Sequence, residues 1–559
     1  MTRSATLDMQ RLEMRVQQWI DEKQIPGLAL ALVSEQETIY AHGFGVTGVE
    51  DGATTVTPQT VFLIASVTKM LVGTALLRLV ESGRLTLDAP IKTYLPQFHF
   101  SMVGIEEHIT LRRLLSHTSG LCTFRGDLSS HEPSGLAQFV REALPSYPLL
   151  LPSNVAWLYS NTGFALLAYI AETVTGNTFY DLMVELVIDP LTMLRTTFDP
   201  LIAMTYPMAQ SHMVDPDGRL RAEHRFVQNT VMDAASGLWS TVDDLAHVAQ
   251  MYLNHGSFRG RRILSPETIS EMHTPSVRLW TLRNEGYGLA FATEDYKGIQ
   301  LVRHNGGGRG SYGACFYLAP DQEMGIIALA NRPGFIGLIY EIFDMIFDPP
   351  ASMSRQPMAL PDRTAWQRLV GAYLGHLTGL VAIRMVSDQL ILARNGKEFT
   401  LRQMAANEFV GEAADGERIA IGFPRQKSDE ASYVVVDDGP CQRVTLPTPT
   451  PNPSLWQDFV GTYRLPEAAL VRDDTFIVSL ANGVLYLTWK GATVPCIPLE
   501  GNQFACDFGL ISFRTLSEGP LLEVWRTMTA RRVVNWSDKY ERRAQSANHF
   551  AVRHPPSFL

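Results

Sequence analysis

The 559-residue sequence predicts an α+β domain built on one antiparallel sheet, followed by two small antiparallel β-modules. Three observations support this fold class. Two apolar, strand-like stretches stand close together near the start, a series of strand-like stretches stands near residue 300, and helical patterns lie between them. Two proline-rich breaks then precede stretches that open with similar phrases and continue as short alternating strands.

The N-terminal part predicts a helix, a hairpin and a second helix. An amphipathic pattern begins at Leu12, and residues 27–33 and 38–43 predict paired strands joined by a polar turn. The apolar run over residues 70–80 has helical spacing and ends at Gly83, where a helix stop is expected.

The middle of the domain predicts helices, and its end predicts strands. We expect a short helix capped by Thr110, an apolar helix over residues 164–175, and a helix capped by Ser240 or Thr241. The strand series and the closing helix are predicted at 287–291, 301–308, 314–318, 324–330 and 336–347.

The C-terminal part predicts a duplicated β-module. The phrase that runs from Trp366 to Tyr373 recurs from Trp456 to Tyr463, 90 residues later. We expect these modules to support the first domain, to mediate homo-oligomerisation or to gate substrate. The predicted boundaries are 1–347 for the first domain, 348–363 for a linker, 364–446 for a module, 447–454 for a proline-rich linker and 455–559 for the second module.

Composition excludes several classes of partner. The chain has 47 basic and 57 acidic residues, so its net charge of −10 gives no electrostatic basis for binding nucleic acid or an anionic membrane. The most apolar stretches, 26–33 and 334–347, are too short or too interrupted to span a bilayer, and residues 1–10 lack the apolar core of a signal peptide. We therefore expect a soluble, cytoplasmic protein.

Neither a metal nor a cofactor is expected. The five cysteines lack metal-type spacing, and we interpret them as reduced core or surface thiols. Residues 308–313 match the dinucleotide-binding glycine pattern, but that motif needs a following helix, whereas residues 314–318 predict a strand.

The pair Ser66 and Lys69 is the first candidate for chemistry. Residues three apart on a helix have Cβ atoms about 5–6 Å apart, so the lysine amine can reach the serine hydroxyl. A free lysine has a pKa of about 10.4, but burial without a carboxylate lowers it, and no Asp or Glu occurs between Thr54 and Arg78. The alternative is an ordinary buried helix start with a surface lysine, since Ser-x-x-Lys is common in long proteins.

Two further candidates have equally plain alternatives. Tyr159 and Asn161 precede an apolar helix, so a phenol and an amide lie on one turn, where a dehydrated tyrosine can shuttle protons. The alternative is a core tyrosine with a capping asparagine. His117 is a candidate general base, although a histidine at a helix end more often caps carbonyls.

Taken together, these residues resemble a known family. The three motifs of the serine β-lactamase-like superfamily are similar, in the same order, to Ser66-x-x-Lys69, Tyr159-x-Asn161 and His304-Asn305-Gly306. The likeness is to the class C type and its relatives among esterases and D-aminopeptidases. It covers about residues 8–347, and the tail is similar to that of the bacterial D-aminopeptidases. The resemblance implies a β-lactamase-like domain, with an antiparallel sheet flanked by helices plus an all-helical part, followed by two small antiparallel β-barrel-like modules.

The resemblance also implies roles. Ser66 would attack the carbonyl carbon, Lys69 and Tyr159 would exchange its proton, and Tyr159 would protonate the leaving group. Asn161 would orient the substrate amide or Lys69. His304, on the edge strand, would contact substrate or assist Tyr159. Near Gly306, the backbone N–H groups of Ser66 and Gly307 would form an oxyanion hole.

Departures from the family pattern bear on the substrate. β-Lactamases and cell-wall peptidases usually carry Lys-Thr-Gly where this chain has His304-Asn305-Gly306, which disfavours recognition of a carboxylate. In the aminopeptidases, an acid on a loop of the last module reads the substrate amine, and Glu518 is the nearest equivalent. We therefore expect a serine hydrolase that releases N-terminal D-amino acids from small peptides or amides. The alternatives are a carboxylesterase or β-lactamase using the same residues, and a catalytically silent acyl-binding protein.

Overall fold

All the α-helices that the structure describes lie in the first 347 residues. The computed structural model describes residues 8–102, 104–123, 130–214, 217–224, 229–308, 312–347, 349, 363–375, 378–424, 431–445, 456–464, 475–481, 484–489, 492–499, 502–506, 509–516, 519–524 and 528–532. The helices are α1 (Met9–Glu22), α2 (Thr68–Glu81), α3 (Leu111–Leu115), α4 (Gly135–Gln138), α5 (Asn161–Thr175), α6 (Phe179–Met183), α7 (Pro200–Ala203), α8 (Asp233–Ser236), α9 (Val242–Leu253), α10 (Pro266–His273) and α11 (Ile336–Phe347).

Fourteen strands lie in the same part of the described chain. They are β1 (Gly27–Ser34), β2 (Thr38–Gly45), β3 (Phe62–Leu63), β4 (His212–Val214), β5 (Leu220–Ala222), β6 (Trp239–Ser240), β7 (Ser257–Phe258), β8 (Arg261–Arg262), β9 (Val277–Trp280), β10 (Asn284–Tyr287), β11 (Ala292–Tyr296), β12 (Ile299–Gly308), β13 (Tyr312–Ala319) and β14 (Met324–Ala330). Eight of them form an antiparallel sheet in the order β2-β1-β14-β13-β12-β11-β10-β9. The remaining six pair as β3-β6, β4-β5 and β7-β8.

The sheet is apolar on both faces, because helices cover both. Successive side chains of a strand point to opposite faces. In β1, Ala29 and Ala31 join the core beneath α2, α5 and α9, whereas Leu28 and Leu30 join a second core beneath α1 and α11. This explains why residues 27–33 form an unbroken apolar run rather than an alternating one.

Local sequence signals located several helix ends. Thr110 and Thr241 cap α3 and α9 by accepting hydrogen bonds from backbone N–H groups, and Gly176 ends α5 in the left-handed region at φ 77°. Helix α5 begins at Asn161, three residues earlier than its apolar pattern, because Ser160 is its cap. Residues 287–291 do not begin a strand as predicted: Tyr287 ends β10, and the chain then turns, with Ala290 at φ 63°.

The C-terminal part forms two closed antiparallel barrels, so the predicted fold class is confirmed. The strands of the first barrel are β15 (Gly371–Gly375), β16 (Gly379–Val386), β17 (Gln389–Arg394), β18 (Lys397–Ala405), β19 (Glu408–Ala413), β20 (Arg418–Gly422), β21 (Tyr433–Val436) and β22 (Gly439–Val444). Those of the second are β23 (Gly461–Arg464), β24 (Thr475–Ala481), β25 (Val484–Trp489), β26 (Ala492–Pro498), β27 (Gln503–Cys506), β28 (Gly509–Leu516), β29 (Gly519–Val524) and β30 (Met528–Arg532). The second barrel packs on β15 and β16 of the first.

The two barrels repeat the same internal contacts. The buried Tyr373 hydroxyl donates to the Leu369 carbonyl at 2.8 Å, and the buried Tyr463 hydroxyl donates to the Phe459 carbonyl at 2.7 Å. In each barrel an arginine on the last strand donates to the carbonyl three residues before that tyrosine. These bonds are Arg443 to Val370 (2.9 Å) and Arg532 to Val460 (2.6 Å).

The structure tests several other predictions only in part. Most of the linker 348–363 and all of 447–454 lie outside the described residues, so the domain boundaries stay predictions. All five cysteines are free, and all are buried rather than on the surface. No helix in the described part of the chain is long and apolar enough to cross a membrane.

Candidate active site

Ser66 lies in a single 3₁₀ turn, Ala65–Val67, that leads directly into α2. The turn is held from the side of β6, because Ile64 N donates to the Leu238 carbonyl at 3.0 Å. Ala65 is in the left-handed region at φ 47°, an uncommon conformation for a residue with a side chain. The strained turn leaves Ser66 partly exposed at the start of an otherwise buried helix.

The Lys69 side chain is fully buried beside Ser66. Its Nζ lies 3.3 Å from Ser66 Oγ and donates to Asn161 Oδ1 at 2.7 Å and to the Ala235 carbonyl at 2.8 Å. Burial lowers the pKa of Lys69 well below its usual value. Within the described residues no carboxylate is paired with the amine, so nothing there opposes the effect of burial.

Tyr159 faces the same amine. Lys69 Nζ lies 4.7 Å from the centre of the Tyr159 ring. Burial raises the pKa of Tyr159 above its usual value, although Ser66 beside the phenol opposes that rise. The site therefore combines a hydroxyl, an amine with a lowered pKa and a protonated phenol.

His117 holds the segment that carries Tyr159, and it does not cap carbonyls as a histidine at a helix end usually does. Its Nδ1 accepts from Ser160 N at 3.1 Å, and its own carbonyl accepts from Leu158 N at 2.8 Å. The centres of the His117 and Tyr159 rings lie 4.4 Å apart. Burial, with Lys69 and His304 nearby, lowers the pKa of His117 well below its usual value, so the imidazole is neutral.

His304 is also neutral and engaged at both nitrogens. The Tyr287 hydroxyl lies 3.2 Å from its Nε2, and its Nδ1 lies 2.8 Å from the Asn305 carbonyl. A carbonyl only accepts, so Nδ1 carries the proton and Nε2 accepts from the tyrosine. Burial lowers the pKa of His304 to about 3.

The family resemblance implies that His304 lies on an edge strand. In the structure, β12 is a free edge only over its last residues, 304–308. β12 lies between β11 and β13, but its pairing with β11 ends at Arg303, and residues 304–308 pair with β13 alone. A Cβ atom on Gly306 would collide with the Ile64 carbonyl, so glycine is needed where β12 crosses the chain just before Ser66. Gly307 is exposed beside it.

The fold thus brings together Ser66, Lys69, Tyr159, Asn161, His304 and Gly306 from widely separated parts of the sequence. Glu518, the predicted acid of the last module, lies outside the described residues. Among the residues described, no group of three or more His, Cys, Asp or Glu is placed to hold a metal ion.

Sequence reasoning missed the contributions of three residues. Ala235 acts through its backbone carbonyl, for which no side-chain pattern exists. Tyr287 lies in a stretch that the sequence predicts to begin a strand, and it was given no role at the site. The signal for His117 was the aromatic cluster that surrounds it, which includes Trp157 at a ring distance of 5.9 Å, but the cluster exists only in three dimensions.

Comparisons with known proteins identify the family of this chain. Residues 12–338 match the Beta-lactamase family. Penicillin-binding protein 4 of Amycolatopsis lactamdurans is 27% identical over 341 residues, covering 58% of this chain and 85% of that protein. Unguisins hydrolase ungD' of Aspergillus campestris is 26% identical over 358 residues, covering 60% of this chain and 64% of that protein.

Solved structures share the fold over a longer stretch. The crystal structure of SurE superposes with a TM-score of 0.62 at 21% identity, covering 78% of this chain and 98% of that one. The octameric penicillin-binding protein homologue from Pyrococcus abyssi has a TM-score of 0.55 at 22% identity, covering 78% and 99%. The family match spans more than half of the sequence, and this chain therefore belongs to the beta-lactamase family of serine hydrolases.

Proposed function

We propose that this protein cleaves amide bonds of small substrates through an acyl-enzyme on Ser66, and that it releases N-terminal D-amino acids from short peptides or amides. The observation that carries the proposal is the buried Lys69 amine, 3.3 Å from Ser66 Oγ. A neutral amine has two N–H groups and one lone pair. Asn161 Oδ1 and the Ala235 carbonyl take the N–H groups, so the lone pair is left for the proton of the Ser66 hydroxyl.

The reaction follows from these protonation states. Ser66 Oγ attacks the carbonyl carbon as its proton passes to Lys69 Nζ. The C–N bond breaks while Tyr159 gives its phenolic proton to the leaving amine and recovers a proton from Lys69. Water then attacks the acyl ester, its proton returns through the same pair, and Ser66 leaves with a proton as the acid is released. Backbone N–H groups of Ser66 and Gly307 stabilise the oxyanion in this proposal.

The rest of the site bears on the substrate class. His304 is uncharged, and its two ring nitrogens are engaged by Tyr287 and the Asn305 carbonyl. It therefore offers no cation to a substrate carboxylate at neutral pH. This favours small open-chain amides over β-lactams, which carry a carboxylate. The D-configuration is supported by the resemblance to D-aminopeptidases and by a structure of SurE, a protein of the same fold, with D-Leu. Self-association is proposed only by analogy with the octameric homologue.

Chromogenic substrates test the specificity. We expect hydrolysis of D-alanine p-nitroanilide to exceed that of its L-enantiomer and of the β-lactam nitrocefin. Hydrolysis of p-nitrophenyl esters with no activity on either anilide would reject the amidase assignment in favour of an esterase.

A covalent probe tests the nucleophile. We expect a fluorophosphonate to label the wild-type protein once and to leave Ser66→Ala unlabelled. The matched control is Ser82→Ala, which removes an exposed hydroxyl at the C-terminal end of α2 and should label like wild type. The proposal would be contradicted if Ser66→Ala were labelled at the wild-type rate or if the wild-type protein were not labelled at all.

A further inference from the structure

We propose that the first barrel is part of the catalytic unit, because it positions Tyr159 by clamping the segment that precedes it, residues 151–158. This inference rests on the proposed function of Tyr159 as the proton donor to the leaving group. It assigns to a non-catalytic module a role in the proton-transfer step, and it identifies Val435, Gly422 and Trp280 as positioning residues.

Along residues 156–159, successive side chains alternate between two sides of the chain. Trp157 and Tyr159 point into the aromatic cluster of the site around His117. Ala156 and Leu158 belong to a separate apolar cluster that is completed by the barrel. An extended chain places successive side chains on opposite sides, so the same short segment contacts the catalytic cluster on one side and the barrel on the other.

The barrel side of this cluster is well buried. Leu151, Ala156 and Val435 are each at most 3% exposed, and Val435 lies on β21 of the barrel. Tyr433, also on β21, packs against them, as do the partly buried Val155, Leu158 and Trp280. Buried apolar contacts of this kind fix position, because interiors are close-packed and movement opens a void.

Trp280 locks the barrel to the sheet. It ends the edge strand β9, and its indole lies directly on Gly422 of β20, where a Cβ atom would collide with the ring. The Trp280 carbonyl also accepts from Asp438 N at 3.3 Å. Glycine, which has no Cβ atom, permits this close approach.

Polar contacts hold the same interface. Arg278 of β9 forms an ion pair with Glu408 of β19, with 2.6 Å between Nη1 and Oε1. β9 pairs with β10, whose last residue, Tyr287, donates to His304. The barrel thus contacts both the segment that leads to Tyr159 and the strand next to the one that carries Tyr287.

The predicted consequence is selective. If the barrel positions Tyr159, then loosening the interface should slow the reactions that need the leaving group to be protonated. Phenyl acetate has the more basic leaving group and needs that proton more than p-nitrophenyl acetate does. A general loss of structure would lower both rates alike. Both substrates are esters, so the test does not depend on the proposed amide specificity.

Two variants loosen the interface in different ways, and a third variant serves as the control. Gly422→Ala drives a methyl group into the Trp280 ring, and Val435→Ala removes methyl groups from the buried cluster. Gly396→Ala adds the same methyl group to the β17–β18 turn of the same barrel, where it would meet no atom within 4 Å and where φ is +72°, so it perturbs the barrel alone.

We expect Gly422→Ala and Val435→Ala to lower kcat/KM for phenyl acetate about 10-fold or more relative to kcat/KM for p-nitrophenyl acetate, because kcat/KM reports the acylation step in which the leaving group departs. Gly396→Ala should leave the ratio unchanged. In a Tyr159→Phe background, Gly422→Ala should have no further effect on the ratio, because the residue that it displaces no longer transfers a proton. Thermal unfolding checks that each variant is folded, and Val435→Ala decides the outcome if Gly422→Ala is not.

An unchanged ratio in the folded interface variants, with active wild type, would overturn the inference and leave the proposed function standing. An additive effect in the Tyr159→Phe background would also overturn it. Wild-type protein that neither reacts with a fluorophosphonate nor hydrolyses either ester would instead reject the proposed function.

Discussion

Replacing Lys69 separates proton transfer from the other contributions to the site. The amine donates to Asn161 Oδ1 and to the Ala235 carbonyl, so Lys69→Ala removes the base and leaves two buried acceptors without their donor. Lys69→Met removes the same groups but keeps most of the volume. A positioned general base contributes about 10²–10⁴ in rate, which corresponds to about 3 to 5 kcal/mol of transition-state stabilisation.

We therefore expect kcat for p-nitrophenyl acetate to fall about 10²-fold or more in both Lys69 variants, with Ser66 still present. In wild type, kcat/KM should fall as pH decreases, because the base must be neutral to accept a proton. The midpoint of that fall should lie well below 10.4, since burial lowers the pKa of Lys69.

Small amines provide the decisive measurement. The cavity in Lys69→Ala should admit methylamine and recover part of the lost rate, whereas Lys69→Met, with the cavity filled, should not respond. Near-native turnover by Lys69→Ala would refute the proposed proton transfer. Equal rescue of both variants would show that the added amine acts from solution rather than from the position of Nζ.

Three further predictions concern other residues. Tyr159→Phe should lower kcat/KM for D-alanine p-nitroanilide by about 10² or more while lowering kcat/KM for p-nitrophenyl acetate much less, and equal losses would contradict its role as acid. His304 has a pKa of about 3 in the folded protein and about 6.5 in the unfolded chain. Between these values the unfolded chain binds the extra proton, so the free energy of unfolding decreases as the pH is lowered, by up to about 5 kcal/mol. The drop in unfolding temperature between pH 6.5 and 4 should therefore be smaller in His304→Gln, and an unchanged drop would contradict the assignment. Arg443→Ala should lower the unfolding temperature of the first barrel by removing its donors to the carbonyls of Arg368 and Val370, and Arg418→Ala, on another strand of that barrel, is the control.

Much of the fold follows from short-range patterns. Helix α11 spans residues 336–347 as its periodicity predicted, and Thr110 and Thr241 cap helices because their hydroxyls satisfy backbone donors within three residues. The error at residues 287–291 has a physical cause. Their apolar side chains are buried in the core from a turn, and composition alone does not distinguish a buried turn from a buried strand.

The candidate site was accessible from the sequence only as side-chain types. Ser66 and Lys69 are neighbours on one helical turn, so their proximity could be predicted from spacing. The two acceptors of the Lys69 amine come from residues 92 and 166 positions away, and one is a backbone carbonyl. For His117 the sequence left a general base and a capping role open, because nothing local indicates that its ring supports Tyr159.

Residue patterns alone were enough to predict the main helices and strands of the first domain, the duplicated barrels and the candidate reactive side chains. These properties depend on periodicity, capping and spacing, which act over a few residues. Three properties arise only in the folded protein: Lys69 is buried without a charge partner among the described residues, His304 is neutral, and the first barrel lies against the segment leading to Tyr159. Desolvation and packing arise from groups brought together across hundreds of residues, so no local pattern encodes them.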